Sequence, residues 1–142
     1  MTPFMVRVHQ VVTGSPHTDH TPELMESVPR TIGQGTHEHV ELRALAEQLV
    51  AEANAVLSGL TGEPIRLQDG SGTRDQTFSL SRAGNWATVT TSYDGGVALA
   101  GLSGPAFPAP RRELAGEDAL ADLILTLVAP GRRVPTTAGA VR

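Results

Sequence analysis

Four of the chain's five histidines fall between His17 and His39, in two clusters whose natural chemistry would be metal binding: HTDH, with His17, Asp19 and His20, and HEH, with His37 and His39. A bound divalent ion needs several such ligands converging on one point. Residues two apart on a helix project to nearly opposite sides, so His39 cannot join His37, and only Glu41, one turn on, shares its side. HTDH sits among turn formers, where binding would also have to order the segment. The spacing is therefore that of solvated polar residues near a helix start, and no metal site is expected.

Other chemistry is equally thin. Serine, histidine and aspartate are present, but no GxSxG run places a serine on a strand-to-helix turn. The run Asp69 to Asp75 (DGSGTRD) has the glycines of a phosphate cradle, yet it precedes a β-prone stretch rather than a helix, so helix-terminal amides are missing and a hairpin loop is expected. Glu63, Asp69, Asp75 and Asp94 could gather at sheet ends as acid and base. Their spacing singles out no pair, and turn aspartates usually bond their own backbone.

Absences narrow the field further. The chain has no cysteine, and its 11 basic residues are all arginine. There can be no thiolate nucleophile, Cys-ligated zinc or iron–sulfur cluster, and no P-loop lysine or pyridoxal Schiff base. No catalytic residue and no cofactor is expected. The net charge of −4 and the scattered arginines argue against nucleic-acid binding. No apolar stretch approaches the roughly 20 residues that cross a bilayer, and the first residues lack the order of a secretory signal, so a cytoplasmic protein with no membrane contact is expected.

The elements that would position any functional side chain are clearer. At 142 residues the chain suits one domain. Residues 1–35 read as a flexible leader, rich in turn formers from Thr13 onward, with Phe4, Val6 and Val8 alternating as in one short strand. From His37 to Ser58 the apolar residues Leu42, Leu45, Leu49, Ala53 and Val56 recur at helical spacing, with Thr36 as cap and Gly59 as stop. Four alternating runs follow, Pro64 to Gln68, Gln76 to Arg82, Trp86 to Tyr93 and Val97 to Leu102, joined by short glycine-bearing turns. Glu117 to Ala129 repeats the helical signature, and residues 131–142 have no apolar period and read as a disordered tail. The expected fold is α+β, a single two-layer domain over residues 36–130 in which two helices flank a four-stranded antiparallel meander.

Alternation assigns the two faces of that meander. Ile65, Leu67, Phe78, Leu80, Val89, Tyr93, Val97 and Leu99 would meet the helices. Thr77, Ser79, Trp86, Thr88, Thr90, Ala98 and Ala100 would form an opposite face almost free of charge. The only tryptophan, Trp86, lies on that second face among small residues, an arrangement common at protein interfaces. A helix over 37–58 would be roughly 33 Å long and would outrun four strands spanning about 15–20 Å. Leu42 and Leu45 would then need cover from Leu24, Met25 and Val28, or from a second copy of the chain in a homodimer.

These readings favour a non-enzymatic interaction domain of adaptor, chaperone or immunity type. It would bind a protein partner or itself through Trp86, Thr88 and Thr90 or through Leu42 and Leu45. The alternative is a small-ligand binder or minor enzyme with a pocket between helix and sheet, where Tyr93 would be the natural polar group. A structural component of a larger assembly is the third. A cavity with convergent polar atoms separates the second from the first.

Overall fold

The structure, a computed structural model, describes residues 1–14, 21–60, 62–107 and 112–129. Its elements run α1 (Pro3–Val12), β1 (Leu24–Glu26), β2 (Arg30–Thr31), α2 (Ile32–Ser58), β3 (Arg66–Ser71), β4 (Asp75–Arg82), β5 (Asn85–Asp94), β6 (Val97–Ser103), β7 (Arg112–Leu114) and α3 (Glu117–Val128). The fold is mixed α+β, with antiparallel strands between N-terminal and C-terminal helices, as the sequence pattern predicts. Among the described residues no helix is long and apolar enough to cross a membrane. The HTDH cluster and residues 131–142 lie outside the described residues.

Two tight turns build the centre of the main sheet. Ala83 and Gly84 have φ of 52° and 88°, and Gly95 and Gly96 have 62° and 80°. Positive φ at both central positions is the hairpin geometry whose twist matches that of the strands it joins. β3 to β6 form the expected meander, and β2 adds a strand beside β6, giving the order β2-β6-β5-β4-β3. β1 and β7 form a separate two-stranded antiparallel ribbon, with Leu24 opposite Leu114.

Register decides which side chains meet the helices. Phe78, Val89 and Leu102 stand abreast on β4, β5 and β6, and all are buried. β6 is turned over relative to the sequence expectation. Ala98 is fully buried and Ala100 shares its face, whereas Val97 is 40% exposed. The cause is the close approach of α2: a Cβ added at Gly35 would stand 2.3 Å from the Ala98 Cβ. Only small side chains fit beneath the helix there, whatever their hydropathy.

α2 is capped by Thr31 and not by Thr36, the Thr31 hydroxyl accepting from the Gln34 amide at 3.1 Å. The helix thus starts more than a turn before the expected His37 and carries two glycines in its first turns. Residues 1–12 hold the other departure. They form helix α1, not a strand, with Thr2 accepting from the Met5 amide and Pro3 opening the first turn. Phe4, Val8 and Val11 are buried at helical spacing where α1 packs on α2 and α3. Arg7 pairs with Asp122 at 2.7 Å, and the Thr2 hydroxyl donates to Glu52 at 2.7 Å. Among the described residues the helices cover one face of the main sheet and leave the other open.

Candidate functional site

The first half of α2 crosses the inner face of β5 and β6, and the β1–β7 ribbon packs through β7 beside β6. Between them lies a cleft of about 700 Å³. Gly35 on α2, Ala100 on β6 and Ala115 and Gly116 ahead of α3 leave the space, and Met25, Leu42, Val89 and Leu114 supply apolar wall.

Two polar constellations converge on this cleft. Arg30, whose side chain is 15% exposed, donates from Nη1 to Glu38 at 2.6 Å and from Nη2 to Glu113. Its Nε and Nη2 also donate to the Val28 carbonyl at 3.0 and 2.8 Å, and the Val28 amide donates to the same Glu113 oxygen at 3.3 Å. One guanidinium thus ties the chain before α2 to α2 itself and to β7. Burial acts to lower the Arg30 pKa, but the hydrogen bonds and charges of Glu113 and Glu38 outweigh it and hold the group above its ordinary value.

The second constellation is His39 on Thr91. His39 is only 7% exposed, its Nδ1 is 3.0 Å from the Thr91 hydroxyl, and its ring meets Phe78 edge-on with centroids 5.5 Å apart. Burial lowers its pKa, with Asp69 opposing the shift and Arg43 adding to it. His39 is therefore no solvated residue at a helix start. It is a neutral ring wedged between helix and sheet, and it lines the cleft.

The residues singled out from sequence are divided between two places. Leu42 lines the cleft, and Leu45 is half-buried against the core. Trp86, Thr88 and Thr90 stand on the opposite, open face of the sheet, where Trp86 is 45% exposed and the Thr88 hydroxyl lies 2.8 Å from that of Ser79. Of the leader residues expected to cover Leu42, Leu24 packs on the core while Met25 and Val28 stay exposed and line the cleft. Tyr93 does not line it. Its hydroxyl is 3.0 Å from Thr36 and donates to Gln76 at 2.8 Å, fastening α2 to the sheet instead.

The remaining candidates are tied up singly. His37 and Glu41 do meet, at 3.3 Å, both well exposed, and no group of three or more potential metal ligands occurs among the described residues. Asp69 lies within β3 and takes two bonds from Arg43, at 2.5 and 2.8 Å, which lower its pKa. Asp75 accepts from the Gly72 amide at 3.2 Å in its own loop, as turn aspartates do. Asp94 faces Arg74 at 3.8 Å. DGSGTRD is a hairpin connection, with β3 running through its first three residues.

Sequence reasoning missed Arg30, Glu113 and Thr91. Thr91 had a signal, since it shares strand parity with Val89. Arg30 and Glu113 are 83 residues apart in the chain, and nothing local announces their meeting. Comparison of the chain with protein-family models, curated proteins and solved structures gives no match.

Proposed function

We propose that the protein binds a small organic ligand in the cleft between α2 and the main sheet. The observation that carries this reading is the cleft itself: about 700 Å³, walled by apolar side chains, with Arg30, Glu113, His39 and Thr91 fixed by one another. Ligand sites typically have volumes of about 300–1,000 Å³ and few, well-placed polar groups. Polar side chains held by mutual hydrogen bonds need little reordering when a ligand arrives.

Thermal-shift screening of a fragment library tests the reading, with Ala100→Phe, which puts a ring into the cleft, as the filled control. Ligands of the cleft raise the melting temperature of the wild-type protein and not that of the variant. A library that moves neither protein, or moves both alike, overturns the proposal.

A second reading is a protein partner docked on the open sheet face. It is favoured by Trp86 at 45% exposure and Val97 at 40%, on a face whose central outward positions are threonine and serine. Thr88 and Thr90 would lie at the middle of such a contact. Affinity recovery with wild-type protein and with Thr90→Arg tests it, since a specific partner is retained by the first and lost by the second.

A further inference from the structure

We propose that the cleft selects an organic cation, an ammonium or similar group on an apolar stem; the inference rests on the ligand-binding reading above and names the chemical class of the ligand. Among the described residues, four glutamates line the cleft, Glu38, Glu41, Glu113 and Glu117, against one arginine, Arg30. The positive charge of Arg30 is already engaged by Glu38 and Glu113 and offers little to an incoming anion. His39 contributes no positive charge at neutral pH, because burial favours its uncharged form.

The carboxylates differ in access, and this sets the orientation of the ligand. Glu113 is held inside, with its side chain 10% exposed, whereas Glu38 and Glu41 have side chains 44% and 65% exposed on the α2 rim. A cation can reach Glu41 by displacing only the exposed His37, without breaking the pairs that Arg30 makes with Glu38 and Glu113. Its apolar stem then lies inward against Leu42, Val89 and Leu114, where burial of carbon contributes the bulk of the affinity.

One feature would favour an anion instead. α3 begins at the cleft, its first turn takes no side-chain cap, and the amides of a helix start attract negative charge. The chain offsets that attraction itself, because the first two residues of the helix, Glu117 and Asp118, carry negative charge. Their charge repels an incoming anion.

The test is an NMR titration of the full chain, at low ionic strength, with three probes of equal chain length: hexyltrimethylammonium, hexanoate and hexanol. The expected result is saturable shifts at Gly35, Leu42 and Ala100, with hexyltrimethylammonium binding ~10-fold more tightly than hexanoate and the gap shrinking as salt is added. Glu41→Gln should reduce that preference several-fold while leaving hexanol binding unchanged. Because the Glu41 side chain is 65% exposed, the substitution should not compromise folding, and a circular dichroism melt verifies it. Equal or tighter binding of hexanoate or hexanol at those residues overturns the cation assignment and leaves the cleft as a ligand site. No shift at those residues with any probe overturns both.

Discussion

Gly35 and Gly33 lie two residues apart on α2 and meet opposite surroundings. A Cβ at Gly35 would collide with Ala98, while one at Gly33 would meet nothing within 4 Å. Gly35→Ala should therefore cost about 1–3 kcal/mol by forcing the helix off the sheet, and Gly33→Ala should gain about 0.5–1 kcal/mol from helix propensity. Urea denaturation of the two variants checks this, and equal effects would refute the close approach. His39 supplies a second prediction. Its pKa in the folded chain lies below the ordinary 6.5, through burial first, with Asp69 of β3 opposing and Arg43 of α2 assisting. The unfolded chain thus takes up the proton more readily. The stabilising contribution of neutral His39 is complete above pH 6.5 and is lost as pH falls from there through the lowered folded-state value. Wild-type protein should be less stable at about pH 5.5 than at about pH 7.5, and His39→Gln should flatten that dependence. Chemical denaturation at both pH values measures it. An unchanged slope in the variant would assign the effect to other groups.

At the scale of elements, α1 carries the most consequential prediction. Phe4, Val8 and Val11 are buried against α2 and α3. At about 1.5–3 kcal/mol for each buried side chain, their loss approaches the whole stability of an ordinary domain. Deleting residues 1–12 should therefore lower the melting temperature drastically, as followed by circular dichroism, and Phe4→Ala alone should cost about 3 kcal/mol or more. A truncated chain that melts like the full one would restore the picture of a loose leader. The sequence of α1 supports two periods at once. Phe4, Val6 and Val8 alternate as in a strand, and Phe4, Val8 and Val11 repeat as in a helix. Thr2 and Pro3 are a helix opening, and they favoured the second period over the first. The meander was legible because its turns and alternation agree, and so were α3 and the end of α2. The facing of β6 was not, since hydropathy ranks Val97 above Ala98 while the nearness of Gly35 admits only the alanine. The cleft was legible least of all. Its polar anchor joins Arg30 to Glu113 across most of the chain, and its volume arises where a long helix and a separate ribbon both face the same two strands.

Among the described residues α1, α2 and α3 lie on one side of the main sheet, which sets two candidate surfaces back to back. Ala100 points into the cleft, while its neighbours on the opposite face, with Thr90 and Trp86, point outward. α2, with 27 residues, is about 40 Å long and longer than the sheet is wide. Its length serves both the core, through Leu49, Ala53 and Val56, and the cleft, through Gly35, His39 and Leu42. Side chains on opposite faces of a sheet share no packing partners, so changes made on the two sides should act independently. Thr90→Arg should stay within about 1 kcal/mol of wild-type stability, because a long side chain on an open face can carry its charge into water. It should also leave the hexyltrimethylammonium titration at Gly35 and Leu42 unaltered. Ala100→Phe should abolish that titration and leave the environment of Trp86, read by its fluorescence, as in the wild type. The double variant should show the sum of the two stability changes. If Thr90→Arg weakened cleft binding, or the sum failed by more than about 0.5 kcal/mol, the sheet would be transmitting strain between its faces and the two surfaces would have to be treated as one site.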